Sequence, residues 1–222
     1  DEAINGFERQ CLIASQIQHF PIGGRRMAPA PAMKLASSLC MLIDQMQRTG
    51  TPLSAIKDVL PDELSIHWQE ILKFLTILFD YWPYILAERG QIDPVARQQQ
   101  LLQAQLNFWS NHPPKTPIIL AGSTGSFPMT RAFMKVISQL PMGAVVFPGI
   151  ELDIEETDWR AIEQDPVHPL HQIALSMVEF ELPLSEVSYW HVTEHMQKKS
   201  VRSRQILLRE LMRPASRTSQ WR

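Results

Sequence analysis

Apolar residues recur at helical spacing through the first 110 or so positions, with no convincing period of two. Phe7, Cys11, Ala14 and Ile17 share one face of a first predicted helix, which Pro21-Ile22-Gly23-Gly24-Arg25-Arg26 and an Ala/Pro run break. From Pro31 onward, Leu35, Leu39, Leu42, Ile43 and Met46 lie on one side of a second helix, ended by Gly50-Thr51-Pro52. A short helix over Leu53 to Leu60 leads to Pro61-Asp62-Glu63. The longest helix then carries Leu64, Trp68, Ile71, Leu72, Leu75 and Leu78 as its stripe. Pro83 is expected to kink or break it, because proline removes a backbone donor and crowds the preceding turn. Gly90 ends the stretch Tyr84 to Arg89. Asp93-Pro94 then reads as a cap and a first-turn proline, before Leu102, Leu106 and Trp109 at helical spacing. Residues 1–110 therefore read as a helical bundle or helical insertion.

The pattern changes at Pro117. Ile118-Ile119-Leu120 is a short apolar run bounded by turn residues, which suits a strand covered on both faces. Gly122-Ser123-Thr124-Gly125-Ser126 follows as a turn, and Pro128 opens a helix with Met129, Phe133, Val136, Ile137 and Leu140 on one face. Pro141-Met142-Gly143 stops that helix, and Ala144-Val145-Val146-Phe147 begins a second apolar strand. Residues 111–150 thus predict a β-α-β unit with parallel strands, and the chain as a whole an α/β fold with a large helical subdomain. Ligands of such sheets sit beyond the carboxyl ends of the strands, where Ser123 to Ser126 would lie. Residues 151–222 read as an acidic linker, helices and a basic tail. A helix after Asp165-Pro166-Val167-His168-Pro169 carries Ile173, Ala174, Met177 and Val178, and Glu186 to Trp190 is expected to form a short strand.

Composition narrows the class without changing this layout. The chain has 222 residues, 45% hydrophobic and 20% charged, with net charge -2, enough for one or two domains with a sizeable core. No apolar run approaches the roughly 18 residues of a membrane span, and the N-terminus lacks a signal-peptide pattern. Two cysteines, Cys11 and Cys40, are too few for a disulfide framework, which favours a reducing cytoplasm. A chain that starts at Asp1 and ends on Trp221-Arg222 reads as a segment cut from a longer protein.

Candidate chemistry is concentrated in few places. Gly122, Ser123, Thr124, Gly125 and Ser126, between strand and helix, present backbone N–H groups that can hold a phosphate or a nucleic-acid backbone. The alternative is a tight turn with serine caps. Neither the Walker A lysine nor the dinucleotide-binding glycine spacing is present. His168 and His171, and His191 and His195, are spaced three and four apart, but the second pair lacks the glutamate a zincin places after its first histidine, so structural or surface histidines are expected. Seven acids against Arg160 between Glu151 and Asp165 read as a solvated linker, with Mg²⁺ binding through Asp153 and Glu156 as the alternative. Eight basic residues and Glu210 make up the charge from Met196 onward; these either touch phosphates or line the exposed face of a helix with Val201, Leu208 and Leu211 inside. Arg25 and Arg26 in the first loop, and Lys198, Lys199 and Arg202 in the tail, are the cations assigned to a phosphate backbone.

Several motifs resemble the alphaproteobacterial type of AddB, the second subunit of the AddAB helicase–nuclease that resects double-strand DNA breaks. They are Trp82-Pro83-Tyr84-Ile85-Leu86-Ala87-Glu88-Arg89-Gly90, Ile92-Asp93-Pro94, Ile119 to Pro128, Leu140 to Gly149, Asp165 to Pro169 and Leu211-Met212-Arg213-Pro214-Ala215. They keep their order from about Pro31 to the C-terminus. The resemblance implies a slice of a superfamily 1 helicase-like region: a helical (1B-like) insertion, a β-α-β portion of a RecA-like parallel sheet, and the approach to the next domain. It also implies DNA and an AddA-type subunit as partners, with ATP/Mg and an iron–sulfur cluster held outside this stretch and no cofactor within it. In active motors of this class the corresponding strand ends in acids that hold Mg²⁺; here it ends in Ala121-Gly122 with hydroxyls beyond, so no ATPase chemistry is expected. A protein-binding helical scaffold and a small phosphate-binding enzyme are the competing expectations.

Overall fold

A computed structural model of the chain describes residues 2–20, 26–52, 55, 66–150, 152–189, 199–214 and 217–218; for 66–73, 77 and 199–202 only the backbone is described. Among these residues the fold is mixed α/β and mostly helical, with two small parallel two-strand sheets. The chain divides into two compact units, Asp1–Gln105 and Leu106–Arg222, each with its own core.

The first unit contains β1 (Glu2–Ala3), α1 (Gly6–His19), α2 (Pro29–Thr49), α3 (Ile66–Glu88), β2 (Gln91–Ile92) and the start of α4 (Pro94–Asn111). Asn5 caps α1 by accepting the Phe7 N–H at 2.9 Å. The buried stripe of α1 is Arg9, Ile13, Ala14 and Ile17 rather than one running through Phe7, which is 68% exposed. A charged residue in the stripe explains the shift: Arg9 is 3% exposed and occupies a position that hydrophobic spacing alone would pass over. The stripe of α2 matches expectation at Leu39, Ile43 and Met46, with Ala32 and Ala36 completing it. Small alanines let α1 and α2 approach closely.

Pro83 does not end α3, which continues to Glu88. Trp82 and Leu86 are buried on either side of Pro83, whereas Pro83 itself faces solvent, so packing of the flanking turns outweighs the missing donor. Pro94 opens α4 as predicted, and Arg97 N–H closes the first turn on Asp93 O at 2.9 Å. The Asp93 carboxylate is buried and accepts from Trp82 Nε1 at 2.9 Å and Gln47 Nε2 at 2.8 Å. Arg9 Nε lies 2.8 Å from Asp93 Oδ1 without the alignment of a hydrogen bond, an ion pair by charge alone, while Arg9 Nη1 donates to Asp44 Oδ1 at 2.6 Å. Beside this knot, burial pushes the Cys40 thiol up, and the Arg9 guanidinium opposes that shift. Apart from residue 55, the predicted helix over Leu53 to Leu60 lies outside the described residues, as does Leu64.

The second unit carries the end of α4, then β3 (Ile118–Ala121), α5 (Pro128–Gln139), β4 (Gly143–Val146), α6 (Glu156–Glu163), α7 (His171–Glu179), a 3-10 turn (Leu184–Glu186) and α8 (Lys199–Leu211). The predicted strands pair in parallel, with Ile118 opposite Gly143 and Ala121 opposite Val146. The helix α5 buries Met134 and Ile137, its C-cap Leu140 is buried as well, and Phe133 stacks on Trp109 at 5.4 Å. The expectation that β3 is covered on both faces is not met. Ile118 and Leu120 are half-buried, but Ile119 is 54% exposed, because side chains alternate across a strand and α5 covers one face.

Two further expectations are corrected here. The acidic stretch is not a solvated linker: residues 156–163 form α6, whose Trp159 and Ile162 join Ile173, Ala174 and Met177 of α7 in the second core, although Val178 is exposed. No strand forms over residues 186–189; Pro183 instead opens the 3-10 turn. No helix among the described residues is long and apolar enough to cross a membrane.

Candidate functional site

The segment between β3 and α5 is built by the end of the sheet ladder. Gly122 N–H still donates to Val146 O at 3.0 Å, after which the chain turns out of the sheet with φ 80°. Ser123 Oγ accepts the Gly125 N–H at 3.2 Å, and the hydroxyls of Thr124 and Ser126 lie 2.7 Å apart. Gly125 has φ 70°, and a Cβ there would stand 2.2 Å from Ser176 Oγ and 2.9 Å from Arg131 Cγ. Both the backbone angle and the space demand glycine.

No serine caps α5: its N-cap is Phe127, without a side-chain bond, and Pro128 follows. The backbone N–H groups of Ser123, Thr124 and Ser126 meet no acceptor among the described residues. The first-turn N–H groups of Met129 and Thr130 add to this cluster of donors, and the partial positive charge of the helix start reinforces it. The five candidate residues from Gly122 to Ser126 therefore come together as one donor-rich loop at the carboxyl end of a parallel strand.

Five residues missed by sequence reasoning surround the loop, and two of them, Arg131 and Ser176, bond to it directly. Arg131 Nη1 donates to Gly125 O at 2.8 Å and to Gln172 Oε1 at 3.3 Å, and its Nε meets Glu179 Oε2 at 3.0 Å. Lys135 Nζ donates to Glu179 O at 2.7 Å. Ser176, fully buried, directs Oγ to Gln172 O at 2.8 Å and toward Thr124 O at 3.5 Å. Gln172, Ser176 and Glu179 recur at i, i+4 and i+7 on α7, opposite the Ile173, Ala174 and Met177 stripe. That polar stripe was visible in the sequence, but its target was not. Arg131 and Lys135 against the Glu179 carboxylate leave one cation in excess beside the loop.

The remaining candidates separate. Arg26 is exposed in the first unit. Arg25 and Lys198 lie outside the described residues; Lys199 and Arg202 are on α8, their side chains likewise outside. Arg209, Arg213 and Arg217, further along the tail, are engaged with carboxylates. Asp158, 4% exposed, is held by Arg213 Nε at 3.3 Å and Arg217 Nε at 2.7 Å, while Arg217 also approaches Glu155 at 3.7 Å and Arg213 Glu210 at 3.3 Å. Arg213 and Arg217 of the basic tail thus pair with Asp158 and Glu155 of the acidic segment. Leu208 and Leu211, expected inside, are 59% and 61% exposed; the ion pairs to Asp158 come from Arg213 and Arg217, just beyond the helix.

Replacing Asp158 by asparagine is expected to cost about 1–3 kcal/mol, since each arginine retains a second carboxylate. Limited trypsinolysis after Arg209 and Arg217 should accelerate accordingly; an unchanged digestion rate would show that these pairs do not hold the tail.

The histidine and acid alternatives resolve into local bonding. His168 Nε2 donates to Met212 O at 2.7 Å while its Nδ1 accepts the Leu170 N–H at 3.1 Å, and the buried His171 donates from Nδ1 to Ile162 O at 3.1 Å. Glu156 pairs with Arg160 at 2.5 Å. Among the described residues no group of three or more His, Cys, Asp or Glu is arranged to hold a metal ion, and His191 and His195 lie outside them. Comparison of the chain with protein-family models, with curated proteins and with solved structures gave no match.

Proposed function

We propose that this chain is a helicase-like segment of an AddB-type subunit, with the β3–α5 region belonging to a RecA-like sheet. In this reading Gly122 to Ser126 contact the backbone of single-stranded DNA on behalf of an AddA-type partner motor, and no nucleotide is hydrolysed there. One observation carries the reading: a parallel strand runs into a loop of unengaged N–H donors, with a surplus cation beside it and hydroxyls where a motor needs a carboxylate. Backbone amides and hydroxyls bind phosphate oxygens well but do not fix magnesium or orient water. The helical first unit is then the insertion that precedes the strand.

Titrating salt against the binding of fluorescent single-stranded DNA tests this. Each phosphate neutralised by a cation contributes a slope of about -0.7 in log affinity against log salt, so the one surplus cation gives a slope near -0.7. ATP turnover should be absent; DNA-dependent turnover that a Ser123→Ala, Thr124→Ala double variant abolishes would refute the inactive-motor reading. The competing scaffold reading is favoured by the exposed Leu207, Leu208 and Leu211 of α8, and it predicts no DNA binding even at low salt.

A further inference from the structure

No aspartate or glutamate stands between Asp93 and Glu151, although the whole chain of 222 residues has 23. The same stretch carries Arg97, Lys115, Arg131 and Lys135. Protein surfaces ordinarily mix both signs, so a one-sided run fits an anionic partner. Within this run the end of α4 is anchored by Leu106, which is buried, and by Trp109, which stacks on Phe133 of α5. Phe108 lies outside that anchor and is 56% exposed. Its ring stacks on that of His112, one helical turn on, with centroids 5.0 Å apart and planes 18° apart. His112 is exposed as well, so the core gains little from either ring.

The chemistry of this surface selects its partner. A flat ring offered to solvent matches the π-face of a nucleobase, and every base has one. The local chain holds no carboxylate to repel the phosphates on either side of a stacked base. An acidic peptide would use the positive charge but leave the ring without a counterpart. We propose that Phe108, backed by His112, is a stacking platform for a base of single-stranded DNA. This inference rests on the DNA-contact reading of the Gly122 to Ser126 loop and adds a base contact to the backbone contact made there.

Fluorescence anisotropy with the full chain at low salt tests this, comparing an oligothymidylate with an abasic strand of the same length. Phe108→Ala should weaken oligothymidylate binding by about fivefold or more, the effect of losing one base–aromatic stack. Its affinity for the abasic strand should match that of the wild type, and Phe108→Tyr, which keeps a ring, should retain binding to both. Removing an exposed ring leaves the fold intact, which circular dichroism checks. A Thr124→Glu, Ser126→Glu variant, by contrast, should weaken both strands alike. Unchanged oligothymidylate affinity in F108A, or equal losses on both strands, overturns the platform and leaves the loop reading standing. Wild-type protein that binds neither strand overturns the platform and the loop reading together.

Discussion

Replacing Arg9 by methionine is expected to destabilise the first unit by about 3–5 kcal/mol, the range for breaking a buried ion pair from one side. Methionine matches the length of the arginine stem but leaves the Asp93 carboxylate, 3% exposed, without a counter-charge. The Trp82 and Gln47 donors then share an anion whose desolvation nothing offsets. Asp44 is affected less, since its side chain is 27% exposed and can recruit water. A double variant, R9M with Asp93→Asn, should recover part of the loss, because an uncharged amide tolerates the site better than an orphaned carboxylate. Urea unfolding followed by hydrogen exchange at α1 and α2 amides measures both. A loss below about 1 kcal/mol for R9M would mean that the knot does not hold the helices together.

The second large effect is expected at the joint between α5 and β4. A Cβ on Gly143 would lie 1.8 Å from Ile137 O and 2.9 Å from both Ile137 C and Leu140 Cβ. The obstacle is mainly backbone, so no rotamer change relieves it. Gly143 also cannot retreat freely: its N–H donates to Leu140 O at 3.0 Å, the adjacent Met142 O accepts from Ile118 N–H at 3.0 Å, and Gly143 sets the register opposite Ile118. Gly143→Ala should therefore cost about 3 kcal/mol or more and loosen the β3–β4 pairing. Exchange protection at the Gly122 amide, the last rung before the candidate loop, is the readout. Retained protection with Tm unchanged would show that the turn adapts without moving the strands.

Particular residues show which parts of this molecule were legible in advance. The β-α-β unit was readable because apolar runs, Pro128 and Gly143 punctuate it at the right places, and the α2 stripe because its apolar residues keep helical period. Arg9 defeated the same reasoning in α1: a buried guanidinium looks polar in sequence, and only Asp44 and Asp93, 35 and 84 positions away, justify its burial. In α6 the string of acids concealed Trp159 and Ile162, since a helix of eight residues offers the pattern barely two turns. The paired exposure along β3 depended on which faces other elements cover. At the candidate site the loop itself could be found by motif, whereas Arg131, Gln172 and Ser176 could not, because their importance comes from α7 packing against the loop.

The amides of Ser123, Thr124 and Ser126 are proposed to hold a nucleic-acid phosphate. The most direct test of this central claim compares single-stranded DNA affinity of the wild type with that of a Thr124→Glu, Ser126→Glu variant in low salt, with circular dichroism confirming that both are folded. Two carboxylates at the loop should repel phosphate, lowering affinity at least about tenfold, or about 1.4 kcal/mol, and flattening the salt dependence. Equal affinities and equal salt slopes for the two folded proteins would contradict the claim and return the loop to the role of a turn.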